Sequence, residues 1–263
     1  MAGRLIKYDF MAIGRKLGPI YIAVLAVSFL TGILGLRVTN SGPLAVVSFI
    51  LGVLVIVMAV MTLVVLIQRF RKTVYGDEGY LMMTLPASTG TQLWSKVISA
   101  VIWGVLTTLV MLGSAAVIIL MIRVDGGIHY REMLVQLNSM NLPWGKISLT
   151  AVLFILNAIA GLVEFALMIY ASISVGSQAS DHKGLFSVLA FIAFAVIENV
   201  ILYFAVTKSD GLDSTLTVNL TTFEQSLEYL DILLFASLVV AVITSAVYFA
   251  VTYLFMDRRL NLE

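Results

Sequence analysis

The stretch LAVVSFILGVLVIVMAVMTLVVLI, Leu44 to Ile67, runs for 24 residues without a charge. A helix needs about 20 such residues to cross a hydrocarbon core about 30 Å thick. Lipid offers no hydrogen bonds, so the backbone must be satisfied inside the segment or within a closed barrel. Barrel strands would be about 10 residues long and would alternate in polarity. This run does neither, and its many β-branched residues cannot rescue a strand that would leave backbone groups unpaired. It reads as a membrane-spanning helix.

Outward from it lie five more candidate spans: Pro19–Leu36, Val97–Ile122, Ile147–Ile173, Leu185–Thr207 and Ile232–Met256. The fourth and fifth spans in chain order contain Glu164 and Glu198, and the third and sixth are uncharged. Composition agrees: 60% of the 263 residues are hydrophobic and 12% charged. A soluble domain is nearer half apolar and a quarter charged; here lipid is expected to solvate most of the surface. No linker or low-complexity tract divides the chain. The expected fold is an all-α membrane protein with six transmembrane helices, a single domain over residues 1–263.

Orientation follows from lysine and arginine. With the N-terminus inside, 11 of the 16 basic residues fall on the cytoplasmic side and 5 outside. Both termini are therefore expected in the cytoplasm, and the N-terminal stretch does not read as a cleaved signal. A net charge of +1 argues against a nucleic-acid partner. With no cysteine and two distant histidines, His129 and His182, neither a disulfide scaffold nor a metal site is expected. The chain has no G-x-x-x-x-G-K-[ST], H-E-x-x-H or G-x-S-x-G motif, so no catalytic or cofactor role is expected of it.

Before the first span, Ile6, Phe10, Ile13 and Leu17 recur at spacings of 4, 3 and 4, which puts them on one helical face. Arg4, Lys7 and Arg15 lie opposite. Residues 1–18 are expected to form an amphipathic interfacial helix, its apolar face in the headgroup boundary. Between spans two and three, residues 68–92 make a loop longer than a plain turn. Its front is basic, Gly76 and Gly79 bracket the acidic Asp77 and Glu78, and an apolar run from Tyr80 to Leu85 ends at Pro86. Ser88, Thr89 or Thr91 can cap the helix that follows. Such a surface suits docking of a soluble partner, or packing of Tyr80 to Leu85 beneath the bundle.

Glu164 and Glu198 lie at membrane depth, where a charge is costly, so both should face the bundle interior, a partner or a wet cavity. They could line a translocation path. They could equally form helix–helix hydrogen bonds, with Asn157 or Asn199 as partners.

Three stretches carry a family resemblance. They are Leu5–Phe10 leading into Gly14-Arg15-Lys16; Gly79–Ser88 followed by Leu93 and Ser95-Lys96; and the tail Arg258–Glu263. Gly176-Ser177-Gln178 with His182-Lys183 is a weaker fourth. On these the chain resembles a permease subunit of ABC-2-type ABC transporters, the small six-helix kind common in Gram-positive bacteria. The resemblance implies the ABC-2, type V exporter-like fold in a bacterial cytoplasmic membrane. It implies a second permease, identical or related, and two cytosolic ABC ATPase subunits that would carry ATP and Mg2+. The leader helix and the segment Arg71, Tyr75, Gly76, Asp77, Glu78, Gly79, Tyr80, Leu85 and Pro86 would contact those ATPases. The loop from Lys208 to Tyr229 is too short for a large extracellular domain. An apolar lining with few polar groups favours export of a hydrophobic or amphipathic substrate, such as a peptide, a lipid-like molecule or a drug. The alternatives are a stand-alone secondary transporter and a non-transporting scaffold for soluble subunits.

Overall fold

The computed structural model describes residues 2–37, 41–76, 88–121, 135, 143–179, 182–207 and 223–258. Among these the regular structure is helical: α1 (Ala2–Arg37), α2 (Ser41–Val74), α3 (Thr89–Met121), α4 (Trp144–Gly176), α5 (Lys183–Thr207) and α6 (Phe223–Arg258). Among the described residues, six helices are long and apolar enough to cross a membrane. The chain is a multi-pass helical membrane protein. The helices outrun the apolar cores read from sequence because a helix can continue into the headgroup region, where water satisfies its last turns. α6, at 36 residues, is about 54 Å long.

Two compact units divide the chain. The first comprises Met1–Arg69 and Ile98–Leu142, the second Phe70–Val97 and Pro143–Glu263.

The first unit is built on Trp103 of α3. Phe10 of α1 stacks on it with ring centroids 4.7 Å apart, and Tyr21 leans against it at 5.9 Å. Gly14 lets α1 come this close: a Cβ there would meet the indole at 3.1 Å. Ile13, Leu17, Val24, Leu51, Met58 and Val65 complete the apolar core. Within it the Tyr21 hydroxyl and Thr107 Oγ1 are 2.6 Å apart, and Thr62 lies 3.3 Å from Thr107. These hydroxyls tie α1, α2 and α3 together at membrane depth.

No separate interfacial helix is shown over residues 1–18. α1 is continuous from Ala2 to Arg37 and carries Pro19 inside it, as spanning helices tolerate. Its apolar stripe packs against protein: Ile13 and Leu17 are buried, and Phe10 lies on Trp103. A stripe of this period fits either surface, and the sequence alone did not reveal that Trp103 offers a protein one. Lys7 and Arg15 are exposed, as the opposite face should be.

In the second unit α4 and α6 make the principal pairing, and α5 packs chiefly on α4. Gly176 at the end of α4 lets α5 approach, since a Cβ there would overlap the Ser187 backbone.

Candidate functional site

Polar residues on α4 recur at intervals of seven, Thr150, Asn157 and Glu164, which returns them to nearly one helical face. Each meets a polar group of α6. The Thr150 hydroxyl donates to Asp231 Oδ1 at 2.6 Å. Asn157 Nδ2 donates to the Leu234 carbonyl at 2.9 Å, and Ser237 Oγ donates to Asn157 Oδ1 at 2.7 Å. Farther along, the Thr244 hydroxyl donates to Glu164 Oε1. At the head of the seam Lys146 Nζ reaches Glu228 Oε1 at 2.6 Å and Glu224 at 3.8 Å. Partners advance in the same direction on both helices, so α4 and α6 run parallel. From Lys146 to Glu164 is 18 positions, about 27 Å of helix, nearly the depth of a hydrocarbon core.

One turn beyond Thr244, the Tyr248 hydroxyl donates to Glu198 Oε2 of α5 at 3.3 Å. Both intramembrane carboxylates thus face hydroxyls on consecutive turns of α6. Neither has a lysine or arginine partner among the described residues. A neighbouring cleft of about 440 Å³ is walled by Trp94, Ala160, Val163, Leu167, Val242 and Phe249, with Ser245 its hydroxyl. Val163 and Ser245 are sequence neighbours of Glu164 and Thr244, so the cleft lies at the depth of that hydrogen bond.

Where α2 and α4 end, Phe70 stacks on Tyr170 with centroids 4.0 Å apart. The Tyr75 hydroxyl is buried beside Ser174 and Ser177, yet makes no hydrogen bond of normal geometry among the described residues. Burial pushes its pKa above the ordinary tyrosine value, and the two serine hydroxyls only partly offset this.

Of the expected coupling residues, Arg71 is exposed, Tyr75 is half-buried, and Gly76 follows the last turn of α2, its N–H donating to the Arg71 carbonyl at 2.9 Å. Asp77, Glu78, Gly79, Tyr80, Leu85 and Pro86 lie outside the described residues. Ser88 caps α3, its Oγ accepting from the Thr91 N–H at 3.4 Å. Asn157 and Glu164 are both on the α4–α6 seam, though Glu164 meets Thr244 and neither asparagine. Asn199 is exposed and donates to Ala195 of its own helix at 2.8 Å.

Sequence reasoning missed Thr150, Asp231, Ser237, Thr244 and Tyr248. The seven-residue recurrence of polar positions on two apolar helices was the signal that could have found most of them. It also missed the ion pair in the first unit between Asp9 Oδ1 and Arg69 Nε, 2.9 Å apart. No protein-family model, curated protein or solved structure matches the chain.

Proposed function

We propose that this chain is the membrane-spanning permease subunit of an ATP-driven transporter of the ABC-2 type, exporting a hydrophobic or amphipathic substrate. The observation that carries the reading is a six-span chain that bears the Leu5–Phe10, Gly79–Ser88 and Arg258–Glu263 motifs together. The apolar cleft beside Glu164 supports the substrate class, because it offers area to an alkyl or aromatic group and few partners to a sugar. On this reading the chain sits in the bacterial cytoplasmic membrane with both ends inside, beside a second permease and two ATPases that bind ATP and Mg2+. ATP-driven closure of the ATPases would bias the bundle between two arrangements.

Vesicles containing this chain with its cognate ATPase test the proposal. ATP-dependent movement of an amphipathic fluorescent probe is expected, with none when either subunit is missing. Movement of small hydrophilic solutes alone would overturn it.

A second reading, a secondary transporter driven by a cation gradient, is favoured by one observation: two intramembrane carboxylates held by hydroxyls, not by basic side chains. The same vesicles separate the two. Transport by this chain alone under an imposed proton gradient supports the second reading and excludes the first.

A further inference from the structure

The apolar cleft of about 440 Å³ beside the α4–α6 seam is walled entirely by residues of the second unit. Small side chains make the room: Ala160 of α4 and Ala241 and Ala246 of α6 stand where larger groups would close it. Trp94 of α3 and Phe249 of α6 bound it, their ring centroids 5.1 Å apart and their planes tilted by 35°. Trp94 is 50% and Val242 59% exposed, so the cleft opens on the flank of the unit. A cavity of about 150 Å³ lined by apolar side chains takes up one benzene, so this one has room for two linked or fused rings. One wall residue carries a hydroxyl. Ser245 stands near the middle of α6, at hydrocarbon depth. Hydroxyls elsewhere in these helices satisfy themselves: those of Ser28, Thr62, Thr107 and Thr252 each donate to the carbonyl four residues back. Ser245 makes no such bond, nor any other, among the described residues.

We propose that this cleft binds an aromatic amphiphile of about two rings, its rings against Trp94 and Phe249 and its hydroxyl, carbonyl or amide group hydrogen-bonded to Ser245. Three points commit the occupant. Aromatic rings pair in offset or tilted arrangements, and the Trp94–Phe249 pair leaves the indole half exposed to a third ring. An acyl chain fills the same volume but brings nothing to Ser245, and a hydroxyl in hydrocarbon without a partner is costly. A sugar or an ion would give up its water against walls that offer one hydroxyl. Mostly apolar walls with one placed polar group are the make-up of a small-molecule pocket. The site rests on the export reading only in that its occupant is taken as cargo; its occupancy does not depend on export.

Trp94 is its own reporter. The full-length protein in phosphatidylcholine vesicles is titrated with a bromobiphenyl bearing a hydroxymethyl group, whose bromine quenches indole fluorescence on contact, and with its methyl counterpart, which has the same rings and no hydroxyl. Subtracting the signal of Trp94→Phe isolates Trp94 from Trp103 and Trp144. Quenching of Trp94 by the alcohol is expected to saturate, above the linear rise given by probe dissolved in the bilayer. The methyl compound should need a concentration higher by about 2- to 10-fold. Ser245→Ala should remove that preference and leave the methyl compound's affinity unchanged. Ala246→Leu, which fills the cleft from an exposed position, should abolish saturation for both. Linear quenching alone in the wild type would overturn the proposal, as would an alcohol preference that survives Ser245→Ala. Phospholipid with brominated acyl chains that quenches Trp94 and is not displaced by the unbrominated alcohol would assign the cleft to lipid and overturn it too. None of these readouts uses ATP or an ATPase, so a failed titration removes the site while the transport assay in vesicles decides the export reading.

Discussion

Substituting Asp9 by leucine perturbs the junction between the start of α1 and the end of α2, and its effect can be sized from the geometry. The Asp9 side chain is 4% exposed and that of Arg69 27%, with 2.9 Å between Oδ1 and Nε. Removing one member of a buried ion pair costs about 3–5 kcal/mol. Arg69 keeps partial access to water at the end of its span, which places the expected loss at the lower limit, about 3 kcal/mol. Equilibrium unfolding by detergent titration in mixed micelles measures it. Arg69→Leu should lose a similar amount, whereas Arg69→Lys should lose less, since it keeps the charge but not the planar fork. Asp9→Leu/Arg69→Leu is the decisive variant. If the two groups stabilise the fold through each other, it loses less than the sum of the singles, by a coupling of about 1–3 kcal/mol. A double variant whose loss equals that sum would show that the pair is a neighbourly contact with no coupling, and the reasoning would fall.

Three further outcomes are expected. Asn157→Leu removes two hydrogen bonds between α4 and α6 and should destabilise by about 1–3 kcal/mol in the same titration; no change would mean the seam is not a stabilising contact. Gly176→Leu should cost at least about 1–3 kcal/mol by forcing α5 off the end of α4, seen as lost yield of folded protein, and a fully stable variant would contradict the close approach of Ser187. Tyr75→Phe deletes a buried hydroxyl without a normal hydrogen bond, so at neutral pH it should be neutral or stabilising by up to about 1 kcal/mol. The Tyr75 pKa is raised on folding, so wild type keeps its full contribution below the unfolded value of about 10 and loses it as pH climbs through the higher folded value. The stability difference between wild type and Tyr75→Phe should therefore widen in the variant's favour above that pH, and a flat difference would refute the burial of the phenol.

The fold class was legible because it depends on local quantities: length of apolar run and absence of charge. Leu44–Ile67 could hardly be anything but a spanning helix. What the leader's apolar stripe touches was not local. Ile13 and Leu17 meet a core organised by Trp103, some 90 residues away in sequence, and no periodicity in residues 1–18 distinguishes that core from headgroups. Glu164 was legible as a residue needing a partner, because charge in hydrocarbon is costly. The identity of that partner was not, because Thr244 is one of several hydroxyl residues, with Ser237, Ser245 and Thr252, in an uncharged run. Asp231 sits just before that run, outside the span as read from sequence, yet it accepts from Thr150. The motif Gly79–Ser88 carries much of the family resemblance, and of its residues only Ser88 is among those described.

Hydrogen-bond accounting inside the membrane links the seam and the exposed helix. In hydrocarbon an unmet polar group costs several kcal/mol, so each intramembrane polar side chain should identify what it faces. Thr150, Asn157 and Glu164 of α4 identify α6, and Glu198 of α5 identifies Tyr248. Asn199 is the next residue after Glu198, turned about 100° from it on the helix. The face of α5 that carries Glu198 meets Tyr248 of α6, while Asn199 donates to the Ala195 carbonyl of its own helix. The same accounting therefore joins α4 to α6 and α5 to α6 through hydroxyls, groups that meet a carboxylate in hydrocarbon without bringing a second charge into it.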